Sequence, residues 1–337
     1  MKIAIVGLGY WGPNLVRNFQ SLPNVKTVIG VDKDETRLHK AKQRFPNLEL
    51  AHDLDGVLKS DEVTAVALAT PVSSHYPLGK KVLEAGKHLW VEKPFTAKVS
   101  EAETLINLAE KKGLKIMVDH TFIYTGAVRK MKEIMDSGEL GDVYYFDSVR
   151  VNLGLFQHDV NVVWDLAPHD LSIMDYLLPQ RPHSVSAVGS CHIGNDLENV
   201  AYLTVLFDNN LIAHFHVNWL APVKIRKVLI GGSKSMLVFD DMENSEKVKI
   251  YDKGIDVKTK EGVYETLVQY RMGDMRSPKL DQTEALALAT AHFLECIEQN
   301  KTPLTDGISG LNVVRLLEAA EKSIKQHGKE IKLHFHE

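Results

Sequence analysis

The chain has 337 residues, of which 44% are hydrophobic and 25% are charged, and its formal net charge is -4. This length exceeds what one typical hydrophobic core needs and predicts a globular protein of two domains. The charge gives no electrostatic argument for a nucleic-acid or anionic-membrane partner, and no apolar run approaches the roughly 20 residues of a membrane span.

The cysteine pattern indicates a reducing compartment. Cys191 and Cys296 are the only two cysteines, and their wide separation in sequence offers neither a disulfide framework nor metal-ligand spacing. No charged segment precedes the first apolar run, as it would in a secretory signal. We therefore expect a cytoplasmic protein.

The first predicted strand, residues 2–6, leads into a glycine-rich turn, Gly7-x-Gly9-x-x-Gly12, and then into a helix whose first turn contains Pro13. In this pattern the first glycine permits a tight turn, the second lets the backbone approach a pyrophosphate, and the third allows close packing of helix and strand. The phosphates would bind the free N–H groups at the helix N-terminus. By itself the glycine pattern is a weak signal for a dinucleotide site.

The second predicted strand, residues 25–31, ends in Asp32, which follows Gly12 by 20 residues. A carboxylate at this distance is placed to accept hydrogen bonds from the adenosine ribose hydroxyls, and it disfavours the 2′-phosphate of NADP. Lys33 and Arg37 leave NADP open, because either cation could neutralise that phosphate. The alternative for Asp32 is the N-cap of the following helix.

A third apolar run, residues 63–69, is typical of a strand buried in a parallel sheet. It ends in a polar cluster, in which Ser73 or Ser74 is predicted to cap a helix that runs to residue 85 and stops at Gly86. His75 lies in the first turn of that helix and faces either a crevice or solvent. A lone histidine of this kind is more often structural than functional.

The next strand runs directly into Glu92-Lys93-Pro94. Pro94 ends the strand, since it cannot donate to the hydrogen-bond ladder and restricts Lys93. A lysine held at the carboxyl end of a strand lies where α/β sheets bind ligands. The alternative is a surface salt bridge. With a helix predicted at 99–112 and a strand at 115–118, residues 1–120 are expected to form a doubly wound domain.

Strands dominate after a helix at 126–137, and residues 121–337 are predicted to form a second α/β domain. The strands are predicted at 143–153, 184–193, 200–207, 211–219, 227–230 and 236–239, and two helices at 282–299 and 307–327. On 211–219 the apolar residues share one face, while His214 and His216 lie on the other. These two histidines alone are weak evidence for a metal site. We expect this face of the sheet to serve in packing or subunit contact.

The segment 162–171 contains three ionisable residues close together, Asp165, His169 and Asp170. Pro168 suits the first position of a helix, which places Asp165 just outside that helix and His169 in its first turn. A helix N-terminus disfavours a cation, so His169 would stay neutral and able to accept a proton, with Asp165 orienting it. Asp170 would complement the helix dipole. The alternative is a capped helix with a surface histidine.

Three features together resemble the Gfo/Idh/MocA oxidoreductase family: the glycine turn, Glu92-Lys93-Pro94, and Asp165-x-x-x-His169. The resemblance covers essentially the whole chain. It implies an N-terminal Rossmann domain with a parallel sheet, and a C-terminal α/β domain with a largely antiparallel open sheet. That sheet commonly forms a dimer face, so a homodimer or homotetramer is expected, and the last helix often packs on the Rossmann domain.

The resemblance also implies roles for individual residues. Lys93 would lie beside the nicotinamide and the reacting hydroxyl, Asp165 would assist, and His169 would accept the proton. Contacts with the cofactor are implied for Tyr10, Trp11, Thr70, Pro71, His75 and Glu92, and Tyr124 is assigned to the substrate side. The Lys93–Pro94 bond is suggested to be cis.

The chain departs from the family pattern on the substrate side. Ala167 and Ser172 stand where the family often has glycine and aspartate, and Ile123 and Gly126 stand where it often has arginine and proline. These differences weaken any transfer of substrate identity, but they leave Lys93, Asp165 and His169 in place.

The expected activity is NAD-dependent oxidation of a secondary hydroxyl on a sugar, cyclitol or nucleotide sugar, without a metal. Two alternatives stay open: a nicotinamide-binding sensor without catalysis, and an NADPH-dependent reductase of a ketosugar or imine. All three catalytic residues are present, which favours an enzyme over a sensor.

Overall fold

The computed structural model describes residues 1–154, 160–194, 197–252, 254–258, 267–271 and 273–335, with the backbone alone in 254–258 and 267–271. The chain divides into two compact units, and each contains two stretches of sequence. The first consists of Met1–Thr125 and Thr283–Arg315, and the second of Gly126–Gln282 and Leu316–Glu337. The sequence prediction had placed all residues after 120 in one domain, apart from packing of the last helix.

The first unit contains a parallel sheet of six strands in the order β3-β2-β1-β4-β5-β6, as the doubly wound pattern requires. Its elements alternate between strand and helix: β1 (Lys2–Val6), α1 (Gly12–Gln20), β2 (Thr27–Val31), α2 (Glu35–Arg44), β3 (Glu49–Ala51), α3 (Leu54–Leu58), β4 (Val63–Leu68), α4 (His75–Glu84), β5 (His88–Val91), α5 (Val99–Lys112) and β6 (Ile116–Val118).

The strands of this sheet end level with one another. Leu68, Val91 and Val118 are successive partners across β4, β5 and β6. The ladder continues one residue further, because the N–H of Glu92 donates to Leu68 (3.0 Å) and the N–H of Asp119 donates to Val91 (2.8 Å). Glu92 and Asp119 therefore stand side by side at the carboxyl edge of the sheet, where α/β proteins bind ligands.

The second unit contains a mixed sheet of nine strands in the order β16-β13-β12-β11-β7-β10-β9-β8-β17. All neighbouring pairs are antiparallel except β7 with β10, so the expectation of a largely antiparallel sheet is confirmed. A separate pair consists of β14 and β15. The elements of the C-terminal region are α6 (Gly126–Asp136), β7 (Val143–Leu153), α7 (Val162–Leu177), β8 (Pro182–Ser190), β9 (Val200–Phe207), β10 (Ile212–Asn218), β11 (Leu220–Gly232), β12 (Met236–Asp240), β13 (Val248–Tyr251), β14 (Gly254–Lys258), β15 (Leu267–Arg271), β16 (Met275–Arg276), α8 (Ala285–Glu298), α9 (Gly307–Lys325) and β17 (Ile331–Lys332).

α8 belongs to the core of the first unit. Trp90 on β5 is fully buried between Phe19 of α1 and Phe293 of α8, with ring centroids 5.7 and 5.6 Å away in edge-to-face geometry. Arg17 forms an ion pair with Glu284 at 2.5 Å, just before α8 begins. Aromatic burial of this kind stabilises the unit more than the exposed ion pair does.

The two faces of β10 differ, as the alternation in sequence predicted. Ala213, Phe215 and Val217 are at most 1% exposed, whereas Ile212 on the opposite face is 43% exposed. On that opposite face Tyr202 of β9 stacks on His216, with ring centroids 4.5 Å apart.

The prediction for α7 was wrong at its N-terminus. The helix begins at Val162, because the side chain of Asn161 accepts hydrogen bonds from the N–H groups of Val163 and Trp164 and caps it. Pro168 lies inside the helix and leaves the carbonyl group of Trp164 without its helical donor. Asp165 is thus in the first turn and His169 is past it, so the helix dipole gives no reason for His169 to be neutral.

Asp170 does not complement the dipole either. Its carboxylate accepts two hydrogen bonds from the Arg150 guanidinium of β7, from Nε at 2.7 Å and from Nη2 at 2.8 Å. The two side chains are only 3% and 4% exposed. This bidentate pair fastens α7 to the sheet one residue away from His169.

We expect Asp170→Asn to lower the free energy of unfolding by about 3–5 kcal/mol, because it removes the carboxylate charge that pairs with the buried Arg150 guanidinium. Urea unfolding monitored by circular dichroism measures the change. The double variant Arg150→Met/Asp170→Leu is the matched control, since it removes both charges and should lose much less. Equal losses in the two variants would contradict the prediction.

Among the residues that the structure describes, no helix has both the length and the apolar composition to cross a membrane. Within the same residues, no group of three or more His, Cys, Asp or Glu side chains could hold a metal ion.

Candidate active site

The three glycines of the turn after β1 differ in the space around them, and at Gly9 the surroundings are open. Gly7 has φ +93°, and a Cβ atom there would lie 2.4 Å from the carbonyl oxygen of Ala69. A Cβ at Gly12 would lie 2.0 Å from the carbonyl oxygen of Gly7, which explains the close approach of helix and strand. At Gly9 the nearest atom would be Nη1 of Arg37 at 3.9 Å. The backbone at Gly9 is therefore accessible to a phosphate.

Helix α1 begins at Gly12 with Pro13 in its first turn, and no side chain caps its N-terminal N–H groups. Tyr10, in the turn before it, is 91% exposed. The neighbouring Trp11 has a partner, since its indole N–H donates to Oδ2 of Asp119 at 3.1 Å. The turn is thus attached to the end of β6.

Asp32 accepts hydrogen bonds from the N–H of Leu8 (2.7 Å) and from the N–H of Asp34 (2.9 Å). Arg37 lies 3.7 Å from its carboxylate. The N-cap of α2 is Asp34, whose side chain accepts from the N–H groups of Thr36 and Arg37. The N-cap alternative for Asp32 was therefore wrong, while Lys33 is exposed at the same strand end.

His75 is a buried structural connection. It is 1% exposed, with Nδ1 at 2.9 Å from the carbonyl oxygen of Pro94 and Nε2 at 2.8 Å from that of Thr70. The prediction that a serine caps α4 was wrong, because neither serine makes a side-chain cap; Ser74 instead donates to the hydroxyl of Thr70 and the carbonyl oxygen of Pro71. The ends of β4 and β5 are joined through these contacts.

Polar groups converge around Lys93. Its peptide bond with Pro94 is cis, as the resemblance suggested. Glu92 and Asp119 stand at the ends of neighbouring strands, and burial, followed by the Asp119 charge, raises the pKa of Glu92 well above its usual value. Asp119 also accepts from the hydroxyl of Thr121 at 2.6 Å.

His120 follows Asp119 and is 1% exposed. Burial, and after it the Lys93 charge, lower the pKa of His120 to about 3, so its ring is neutral at physiological pH. Both ring nitrogens of His120 and Oε1 of Glu92 are buried without a hydrogen-bonding partner in the described part of the chain. Buried polar atoms of this kind normally have partners.

Asp119 and His120 were missed in the sequence. They follow strand β6 directly, in the position that Glu92 and Lys93 occupy after β5. A polar pair after a buried strand was the signal used for Glu92-Lys93, and the same signal was present here.

In the second unit, Asp165 and His169 are four residues apart on α7 and therefore share a helix face. Both side chains are half-buried. Oδ2 of Asp165 accepts a hydrogen bond from the indole N–H of Trp219 at 3.1 Å, and Trp219 is 1% exposed. Asp165 is thus held by a rigid donor that the sequence did not reveal.

The resemblance assigned Tyr124 to the substrate side, and the structure shows where this residue packs. Tyr124 is 1% exposed and packs in the first unit, with its hydroxyl 3.4 Å from that of Thr305. Ile123 beside it is 2% exposed. The glycine at position 126 is explained by packing, since a Cβ atom there would lie 2.2 Å from the carbonyl oxygen of Asp281.

The fold and this edge of the sheet define a dinucleotide-binding oxidoreductase. Residues 1–120 match the profile described as "Oxidoreductase family, NAD-binding Rossmann fold", and residues 128–238 match that of the "GFO/IDH/MocA C-terminal domain". The chain belongs to the Gfo/Idh/MocA family.

Relatives of known activity match over almost the whole chain. The UDP-N-acetylglucosamine 3-dehydrogenase of Acidithiobacillus ferrooxidans is 25% identical over 321 residues, which cover 93% of this chain and 94% of the relative. A solved structure of that enzyme has a TM-score of 0.82 at 22% identity and covers 97% of this chain and 98% of its own. The scyllo-inositol 2-dehydrogenase (NADP(+)) of Bacillus subtilis is 24% identical over 353 residues, which cover 97% of this chain and 94% of the relative. A structure of levoglucosan dehydrogenase in complex with NADH and L-sorbose has a TM-score of 0.83 at 17% identity and covers 99% of both chains.

Proposed function

We propose that the protein is an NAD-dependent dehydrogenase that oxidises a secondary hydroxyl group of a sugar, cyclitol or nucleotide sugar. The observation that carries this proposal is the polar cluster at the carboxyl edge of the parallel sheet. There Lys93 neighbours a buried Glu92 oxygen and two His120 nitrogens that lack partners in the described part of the chain. Atoms of this kind are expected to find their partners in a bound ligand.

The residues at this edge fit a nicotinamide dinucleotide. The open backbone at Gly9 and the uncapped N-terminus of α1 would hold the pyrophosphate. Asp32 would accept from the adenosine ribose hydroxyls, and Glu92, Thr70 and Pro71 would lie along the path towards the nicotinamide. When bound, the cofactor supplies the acceptor for a hydride.

Lys93 would stabilise the oxygen from which the proton departs. A positioned ammonium at a site sheltered from water stabilises a developing alkoxide more strongly than it would in water. The backbone of Lys93 is held in place, since β5 precedes it, Pro94 follows it, and His75 contacts the carbonyl group of Pro94.

His169 would accept the hydroxyl proton as a general base. Asp165 would stabilise the imidazolium that forms, because the two residues share one face of α7. The Trp219 indole keeps Asp165 in place, and the buried Arg150–Asp170 pair keeps α7 against its sheet. These supports favour a catalytic role for Asp165 and His169 over the alternative of a surface histidine.

The proposal is tested by measuring nicotinamide absorbance with a panel of cyclitols, free sugars and nucleotide sugars, each with NAD and with NADP. We expect turnover with at least one substrate, and a higher kcat/KM with NAD because Asp32 repels a 2′-phosphate. NADP is included because Arg37, which lies beside Asp32, could neutralise the 2′-phosphate of NADP. Binding of NADH without any turnover would support the sensor alternative, and reduction of a ketosugar alone would support the reductase.

We propose that the open face of the nine-stranded sheet joins subunits into a homodimer or homotetramer. The face presents Val188, Tyr202 and Ile212, which are 51%, 42% and 43% exposed on three adjacent strands. Apolar exposure of this kind is typical of an interaction surface.

We expect Tyr202→Asp to dissociate the oligomer, because it places a charge on the face that packs. Sedimentation equilibrium measures the mass, and Leu50→Lys, which changes an exposed apolar residue of the other unit, serves as the control. A monomeric wild-type chain would overturn the proposal.

A further inference from the structure

The glycine turn after β1 is attached at both ends to carboxylates that follow other strands. At its start, the N–H of Leu8 donates to Oδ2 of Asp32, which follows β2, at 2.7 Å. At its end, the indole N–H of Trp11 donates to Oδ2 of Asp119, which follows β6, at 3.1 Å. Gly9, where the surroundings are open, lies between these two points. The open part of the turn is therefore short and held on both sides.

The contact at the end of the turn reaches across the sheet. In the order β1-β4-β5-β6, three strand spacings separate β1, which leads into the turn, from β6, which leads into Asp119. Three spacings amount to roughly 14 Å. The Trp11–Asp119 hydrogen bond thus links the glycine turn, where a pyrophosphate binds in this fold, to the half of the sheet edge beyond the crevice.

Trp11 occupies the N-cap position of α1, where a serine, threonine or aspartate would bind the free N–H groups of the first turn. An indole N–H only donates, so the Trp11 side chain cannot accept from these groups, and its one donor is used by Asp119. No side chain caps the helix. A tryptophan held by Asp119 at this position therefore leaves the N–H groups of α1 available to an anion.

Asp119 is placed to hold Trp11 firmly. It is 2% exposed, and its backbone N–H donates to the carbonyl oxygen of Val91 at 2.8 Å. The hydroxyl group of Thr121 donates to Oδ1 at 2.6 Å, which orients the carboxylate and leaves Oδ2 to accept from the indole. A hydrogen bond to a carboxylate is stronger than one between neutral groups.

We propose that Asp119 is a positioning residue for the dinucleotide cofactor. It holds Trp11, and through Trp11 it keeps the glycine turn in the conformation that binds the pyrophosphate. The apparent affinity for the cofactor falls with the fraction of molecules in which the turn has this conformation. Asp32 secures the start of the turn, and Asp119 secures its end. This role of Asp119 rests on the cofactor of the proposed function and is independent of its substrate.

Nuclear magnetic resonance of the indole groups tests the contact without any ligand. The protein has four tryptophans, and Trp11→Phe identifies the resonance of Trp11. The wild-type indole proton should resonate downfield, as expected for a hydrogen bond to a carboxylate. Asp119→Leu keeps the approximate size of the side chain but removes both oxygens, so it should move the resonance upfield. Asp119→Asn keeps one acceptor and should retain part of the shift. A resonance that Asp119→Leu leaves unchanged would overturn the proposal.

Calorimetric titration with NADH measures the consequence for the cofactor. Asp119→Leu should raise the Kd about tenfold to a hundredfold, the range for losing a hydrogen bond to a charged group, and Asp119→Asn should raise it less. Trp11→Phe should raise the Kd by a similar factor to Asp119→Leu. The double variant Trp11→Phe/Asp119→Leu should be no weaker than either single variant, because all three lack the same contact. Exposed Asp61→Leu is the matched control and should bind NADH like the wild-type protein.

The outcomes separate this role from the proposed function. NADH binding by the wild-type protein with an unchanged Kd in Asp119→Leu would refute the role of Asp119 and leave the dehydrogenase standing. Losses that add in the double variant would refute it too, since Trp11 and Asp119 would then act independently. A wild-type protein that does not bind NADH would overturn both proposals. If Asp119→Leu does not fold, the Kd of Trp11→Phe and the indole shift of Asp119→Asn decide the question.

Discussion

Lys93→Ala is expected to lower kcat by about 10²–10³-fold, the usual cost of removing one donor to a developing oxyanion. The substitution removes the ammonium group but leaves the strand end and Pro94 unchanged. The glycine turn and Asp32 are unaffected, so the variant should still bind NADH, which fluorescence titration measures. The loss should therefore appear in kcat, which absorbance at saturating cofactor measures.

Lys98→Ala is the matched control, because Lys98 is exposed five positions further along the chain. It should turn over like the wild-type protein. Wild-type turnover in Lys93→Ala would refute the assigned role, and loss of both turnover and NADH binding would indicate that Lys93 acts chiefly in holding the cofactor.

His169→Ala is expected to lower kcat/KM by about 10²–10⁴-fold, which is what a positioned general base contributes. NADH should still bind, because the glycine turn and Asp32 belong to the other compact unit. Added imidazole should restore part of the activity, since it supplies the missing base in solution. Rescue that rises with the imidazole concentration is the sign of lost base catalysis.

Two controls separate chemistry from folding in that variant. The exposed His52→Ala should leave kcat/KM unchanged. Circular dichroism should show a native spectrum for His169→Ala, because the Arg150–Asp170 pair that fastens α7 is intact. A folded His169→Ala protein with undiminished kcat/KM would exclude His169 as the base.

Much of the first unit was predictable from local patterns. Strands buried on both faces are continuous apolar runs, and the helices between them have an apolar stripe and defined ends, such as Gly86 with φ +74° after α4. The bounds of β1 and α5 agree with the prediction at both ends. The rule that ligands bind beyond the carboxyl ends of such strands then indicated Asp32, Glu92 and Lys93 as site residues.

Prediction from local patterns failed where the same residue is compatible with two different structures. Pro168 suggested the start of a helix, but the Asn161 cap lies earlier and packing tolerates the proline inside α7. The family resemblance assigned Tyr124 to the substrate side, and only the tertiary structure shows its burial beside Thr305. Short strands such as β3 and β16 are two or three residues long and carry too little periodicity to be recognised.

The sequence by itself determined the parallel sheet, the glycine turn and the strand end that carries Lys93, because each depends on neighbours along the chain. Only the tertiary structure decided the partners of those residues. Asp119 reaches Trp11 across 108 positions and Trp219 reaches Asp165 across 54. Such contacts depend on how distant segments pack, which no local pattern records. The environment of Glu92 and Lys93 was therefore decided by the fold, and their location by the sequence.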